Sequence, residues 1–128
     1  MVNTKDIKGL PTLGEEDVVT IWKLNFGFTN DMQAESVEIT MDSMGKKTGR
    51  LDPGKAKLYW LLYGIYESTA LGILPIKDVA LPMSEAEKTM RMKVVRTADA
   101  ELLDKVYSEI LEFNNPKKDE KTDTVKND

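Results

Sequence analysis

Paired carboxylates are the side chains of this sequence whose type and spacing could support catalysis. Glu15 and Glu16 are adjacent, and Glu35 and Glu38 would lie one turn apart on a helix. Two carboxylates can share acid and base roles only when burial or charge separates their pKa values. The sequence around both pairs is polar and indicates exposure, so a solvated surface explains them better than a catalytic site does. We therefore predict that the protein is not an enzyme and has no catalytic residues.

Metal and covalent chemistry have few candidate residues in this chain. The 128 residues include no cysteine and no histidine, which excludes disulfides, thiolate nucleophiles, imidazole bases and the common zinc-ligand sets. Asp119, Glu120 and Asp123 lie among lysines near the C-terminus, without the glycine turn of a calcium-binding loop. We predict no metal site and no cofactor.

A row of aromatic side chains could bind a ligand or a protein. Tyr59, Tyr63 and Tyr66 recur at helical spacing, and Trp60 lies beside them. Such a row can stack on bases or sugars, but tyrosines at this spacing more often fill a core or anchor a protein interface. Because Tyr and Trp are frequent anchors of protein contacts, we predict that these four side chains bind a partner.

Residues 51–72 must position this row, and their pattern predicts a central helix. Asp52 can accept hydrogen bonds from the first-turn amides, and Pro53 suits the first helical position. An apolar face beside the tyrosines is formed by Leu58, Leu61, Leu62 and Ile65. A helix that is apolar over most of its circumference must be covered, and we expect this short chain to leave part of it for a partner.

Two more helices are predicted in the C-terminal half. Ser84 and Glu87 form an S-x-x-E capping box that starts a helix over residues 85–96. Asp99 can cap a final helix whose amphipathic stripe consists of Leu102, Leu103, Val106, Tyr107, Ile110 and Phe113. The stripe could close the core or dock in a groove of a partner or a sister subunit. Its candidate partner-binding residues are Leu102, Val106, Tyr107, Ile110 and Phe113.

The N-terminal half has weaker patterns. Residues 1–16 are charged and interrupted by glycine and proline, which predicts a flexible arm. Residues 17–28 are rich in β-branched and aromatic side chains and predict a strand, whose partner could lie in this chain or in another subunit. Asn30 resembles a helix cap, which predicts a helix over residues 30–43.

Together these patterns predict a mainly α, small α+β domain with about four helices, a short N-terminal β element and a disordered C-terminal tail. The predicted organisation is a flexible arm at 1–16, a single compact, mostly helical domain at 17–113 and a disordered charged tail at 114–128.

The chain has a net charge of -4 and no basic stripe, so we expect no nucleic-acid partner. It has no apolar run long enough for a bilayer and no signal-peptide pattern, so we expect a cytoplasmic protein without membrane contact.

Three groups of residues carry a resemblance to a known family. They are Ile21, Trp22, Lys23, Leu24 and Phe26, then Leu51, Asp52 and Pro53, then Leu61, Leu62, Tyr63, Gly64, Ile65 and Glu67. Their order and spacing, over about residues 17–113, resemble the small tail-assembly chaperones of tailed phages and prophages. The resemblance implies a protein that binds and solubilises the helical tape-measure protein in the host cytoplasm while the tail is built.

Self-association is also expected, because apolar surface left by the monomer can be covered by a second copy. Two other functions stay open at this point. One is a structural head or tail completion protein of the virion, and the other is a small cytoplasmic regulator that acts through protein contacts.

Overall fold

The computed structural model describes residues 2–115, which form four helices and five strands. In chain order the elements are β1 (Thr4–Ile7), β2 (Val19–Trp22), α1 (Phe26–Glu35), β3 (Val37–Met41), β4 (Lys47–Leu51), α2 (Pro53–Gly64), β5 (Ile65–Glu67), α3 (Glu85–Thr97) and α4 (Ala100–Asn114). One antiparallel sheet has the order β1-β2-β5, and β3 and β4 form a separate hairpin. The prediction of a mainly α fold with one short N-terminal β element is therefore wrong, and the fold is α+β. Within the predicted tail, residues 116–128 lie outside the described residues.

The N-terminal sheet replaces the expected flexible arm at residues 1–16. Strand β1 pairs antiparallel with β2, with Thr4 opposite Trp22 and Ile7 opposite Val19. Ile7 and Leu10 are buried in the core, which explains why this polar segment is ordered: two apolar side chains anchor it while its strand covers an edge of β2. The predicted strand at 17–28 is confirmed only over Val19–Trp22, and its partners β1 and β5 lie in the same chain.

The predicted helix over 30–43 is wrong at both ends. Helix α1 begins earlier, because the Asn25 side chain accepts a hydrogen bond from the Phe28 amide at 2.9 Å, and it ends at Glu35. The segment Val37–Met41 alternates apolar and polar residues, which is the period of a strand. Asp42 then closes the hairpin, since its side chain accepts hydrogen bonds from the amides of Met44 and Lys46, both at 2.9 Å.

The predicted start of the central helix is confirmed. The Asp52 side chain accepts hydrogen bonds from the amides of Gly54 at 2.9 Å and Lys55 at 3.2 Å, and the Lys55 bond is the main cause of a lowered Asp52 pKa. The predicted end at residue 72 is wrong. Helix α2 ends at Gly64, and the chain continues directly into β5, which pairs with β2.

The two C-terminal helices begin where the sequence predicts. Ser84 accepts a hydrogen bond from the Glu87 amide at 3.1 Å, and Asp99 accepts one from the Leu102 amide at 3.0 Å. The reciprocal half of the capping box is absent from this pair, because the Glu87 carboxylate accepts from the Lys77 amide at 3.2 Å instead. Glu87 thereby attaches the loop before α3 to the first turn of that helix.

Asn114 joins the end of α4 to the N-terminal sheet. Its side-chain amide donates to the carbonyl of Trp22 at 3.1 Å, and its carbonyl oxygen accepts from the Leu24 amide at 2.9 Å. The sequence predicts that the tail begins here, but Asn114 is the last residue of the helix. Nearby, Lys5 of β1 and Glu109 of α4 form an ion pair at 3.1 Å.

Gly64 allows α2 and α4 to approach closely. A Cβ atom built at residue 64 would lie 2.7 Å from Cγ2 and 2.9 Å from Cδ1 of Ile110. Ile110 has no exposed surface, so its side chain has little room to move. The absence of a side chain at residue 64 is therefore a packing requirement of this fold.

Gly64→Ala is expected to lower the free energy of unfolding by about 1–2 kcal/mol, because overpacking at Ile110 exceeds the gain in helix propensity. Gly27→Ala is the matched control, since a Cβ there meets only the Asn25 side chain at 3.8 Å, and it should be neutral or stabilising. Urea unfolding of both variants measures the difference. Equal stability of Gly64→Ala and the wild type would contradict the close packing.

Candidate protein-interaction surfaces

The C-terminal stripe closes the core of the chain. Leu102, Val106 and Ile110 are at most 1% exposed and belong to one apolar cluster with residues of β2 and α2. As predicted partner-binding residues these three are therefore wrong for the folded chain, because a partner cannot reach them. Tyr107 and Phe113 are half-buried at the margin of the same cluster, and Lys57 lies over the Tyr107 ring at 5.3 Å.

The predicted aromatic row is also largely internal. Tyr63 is 1% exposed, and Tyr59, Trp60 and Tyr66 are half-buried. Trp22 of β2 lies next to this row, and its indole N–H donates to the Tyr63 carbonyl at 2.7 Å. Ring pairs with centroids 5.3–6.4 Å apart connect the cluster, namely Trp22 with Phe28, Phe28 with Tyr63, Trp22 with Tyr66, and Tyr59 with Tyr63.

This aromatic cluster shows what covers the central helix. Helix α1 and strand β2 provide Phe28, Met32 and Trp22, all about 2% exposed, against the tyrosine side of α2. The expectation that α2 would need a partner to cover its tyrosines is therefore wrong for Tyr63. The uncovered apolar surface of the chain lies elsewhere.

Arg91 is a buried polar residue that none of the predictions from the sequence names. Arg91 of α3 is 3% exposed, and its guanidinium donates to the carbonyls of Leu62 at 3.1 Å, Tyr66 at 2.8 Å and Leu74 at 2.9 Å, and to that of Ile65. Burial lowers the pKa of Arg91 to about 10. A signal was present, since Arg91 and Val95 share the inner face of α3 at helical spacing.

A second polar network links three elements beside the aromatic cluster. The Tyr63 hydroxyl donates to the Glu35 carboxylate at 2.5 Å, and Lys88 donates to the same oxygen at 3.1 Å. Burial, followed by the hydrogen bond to Glu35, raises the pKa of Tyr63 above its ordinary value. Burial lowers the pKa of Lys88, but Glu35 and Glu85 outweigh it and the net pKa is raised. Glu35 therefore serves as a structural hydrogen-bond acceptor in this network.

Eight large apolar side chains are exposed by 59–87%, and four of them lie on or at the tip of the hairpin. The register places Val37 opposite Leu51, Ile39 opposite Gly49 and Met41 opposite Lys47, all on one side of the two strands. We call Val37, Ile39, Met41 and Leu51 the hairpin face. The alternation is readable in the sequence, although the cap-like Asn30 predicts a helix over these residues.

The second exposed apolar surface is a groove between α3 and the segment before it. The groove has a volume of about 290 Å³, and its apolar lining includes Ile73, Leu74, Pro75 and Met90. We call it the α3 groove. The side chains of Leu74 and Met90 are 80% and 60% exposed, and Lys77 and Glu87 also line it. None of these residues was predicted to bind a partner.

Within residues 2–115, no group of three or more Asp, Glu, His or Cys side chains is placed to hold a metal ion. No helix in that range combines the length and apolar character needed to cross a membrane. Comparisons with protein families, curated proteins and solved structures found no match to this chain. Its function must be inferred from its own residues.

Arg91→Met is expected to lower the free energy of unfolding by about 3 kcal/mol, because two buried and two part-buried carbonyls lose their donor. Arg96→Met is the matched control on an exposed position of the same helix and should cost less than about 0.5 kcal/mol. Urea unfolding at neutral pH measures both. Similar losses for the two variants would show that the buried guanidinium has no special role.

Tyr63→Phe is expected to flatten the dependence of stability on pH in the alkaline range. Because the pKa of Tyr63 is raised in the folded state, the neutral hydroxyl contributes its full stabilisation below about pH 10, the pKa of an unfolded tyrosine. This contribution is lost as the pH rises further. Between about pH 9 and 11 the wild type should lose stability more steeply than the variant, by at most about 1.4 kcal/mol per pH unit for one proton. Thermal unfolding of the wild type and of Tyr63→Phe over this range tests it, and equal slopes for the two proteins would contradict it.

Proposed function

We propose that this protein is a phage tail-assembly chaperone that binds an amphipathic helix of the tape-measure protein in the α3 groove. The observation that carries the proposal is the exposure of Leu74 and Met90, which both line that groove. Isolated exposed apolar residues are ordinary, but a concave apolar lining with exposed side chains at its margin is typical of a binding surface.

The apolar lining of the groove suits the anchoring side chains of a helix. Helix recognition uses an apolar groove that receives side chains spaced by three or four residues. Met90 is unbranched and flexible, so it can repack against different side chains along a long client. Lys77, Glu87 and Arg91 place charges of both signs in the lining, which favours a client helix with mixed charge on its polar side.

The rest of the molecule supports a binding role. The buried polar side chains Arg91 and Tyr63 already have internal hydrogen-bond partners, so they serve the fold. A chain without cysteine or histidine also lacks the most common nucleophile and general base. The identity of the client follows from the resemblance to tail-assembly chaperones.

The double variant Leu74→Ser, Met90→Ser is expected to bind a tape-measure fragment at least about tenfold more weakly than the wild type, because two apolar anchors are lost. Phe26→Ser is the matched control, since Phe26 is 86% exposed on α1 and does not line the α3 groove. Co-expression with overlapping tape-measure fragments, followed by affinity measurement and solubility assays, tests the proposal.

Two results would contradict this function. The first is a wild-type protein that neither binds nor solubilises any tape-measure fragment. The second is the presence of the protein in purified phage particles, since an assembly chaperone leaves before the particle is complete and a structural component stays.

A further inference from the structure

The outer edge of β3 is available for pairing. Cross-strand hydrogen bonds join the Asp52 amide to the Ser36 carbonyl at 2.9 Å and the Asp42 amide to the Lys46 carbonyl at 3.0 Å. Even-numbered residues of this strand therefore face β4, and the backbone groups of Val37, Ile39 and Met41 point outward. Within residues 2–115, β4 is the one strand that pairs with β3.

The two edges of the hairpin differ in their protection. Strand β4 carries Lys47, Arg50 and Gly49, and both charge and glycine discourage the addition of another strand. Strand β3 has the sequence VEITM, with β-branched residues and one charge, which already lies opposite Arg50 in the hairpin. The β3 edge therefore favours strand addition and the β4 edge does not.

We propose that β3 pairs antiparallel with β3 of a second copy about a two-fold axis at Ile39, which gives a four-stranded sheet of order β4-β3-β3-β4. In this register Ile39 lies opposite Ile39 of the second copy, and Val37 lies opposite Met41. All three residue pairs use outward backbone groups, so the edge gains about six hydrogen bonds. This inference stands independently of the proposed function.

A second copy is the partner that this strand fits, because VEITM alternates symmetrically about its centre. When the strand runs in the opposite direction, its apolar residues still lie opposite apolar residues of the other copy. Glu38 then lies opposite Thr40 and not opposite another carboxylate. The same operation on β4 would place Gly49 opposite Gly49 and Lys47 opposite Leu51, which offers little side-chain contact. The β3 arrangement also joins the two hairpin faces into one apolar surface with eight side chains from Val37, Ile39, Met41 and Leu51 of both copies.

A charge-swap experiment tests the pairing residue by residue. Ile39 is 62% exposed in the monomer, so Ile39→Lys and Ile39→Glu should both fold. Each variant alone places like charges opposite each other in the dimer, and self-association should weaken at least about tenfold relative to the wild type. An equimolar mixture should restore a dimer, which sedimentation equilibrium and native mass spectrometry can identify as the mixed species.

A proline pair tests the edge. Ile39→Pro removes an outward amide of β3 while the bonds to β4 remain, and it should abolish dimerisation. Lys47→Pro removes an outward amide of β4 and should leave dimerisation intact. Circular dichroism verifies folding of each variant. A wild type that stays monomeric up to about millimolar concentration, a mixture of charge variants that does not associate, or a dimer sensitive to Lys47→Pro alone would each overturn the proposal.

Discussion

The fold depends on the buried guanidinium of Arg91 at the end of α2. The last carbonyls of a helix lack internal partners and carry partial negative charge, so a cation with several donors satisfies them well. Arg91 reaches the carbonyls of Leu62, Ile65, Tyr66 and Leu74, which belong to the helix end, to β5 and to the segment beyond it. This single side chain from α3 therefore fixes the point where the chain changes from helix to strand. Because desolvation of a cation is costly, the arrangement is stable only while all of these hydrogen bonds are made.

Around this junction the molecule separates its core from its exposed apolar surface. The aromatic cluster near Trp22 and the stripe of α4 both pack against α2, and Gly64 lets α4 come close. Most of the exposed large apolar residues lie instead on the hairpin and beside the α3 groove. The strongest apolar signals in the sequence thus belong to the interior, whereas the candidate binding surfaces come from weaker and shorter patterns.

Local signals explain what could be predicted from the sequence. The helix starts at Asp52, Ser84 and Asp99 depend on contacts within a few residues, so cap residues identify them. The sequence does not predict strand β1 or the hairpin, because short strands need partners that no local pattern specifies. In V-E-I-T-M, Val37 and Met41 are also spaced like one face of a helix, so the segment fits a helix as well as a strand. For a similar reason the sequence predicts partner binding for Tyr63, Val106 and Ile110 while leaving open whether the stripe of α4 closes the core. A pattern shows that a face must be covered without showing what covers it. The exposed surfaces could be located only after the cover of α2 was known.

The Asn114 bridge affects the order in which this protein can be completed on the ribosome. Translation proceeds from the N-terminus, so β1 and β2 emerge long before the residue that bonds to the Trp22 carbonyl and the Leu24 amide. Until α4 has emerged, Val19 and Ile21 lack the part of their apolar cover that Leu102, Val106 and Ile110 contribute. Such contacts between distant parts of a chain slow folding, and here they join the first two strands to the last described helix.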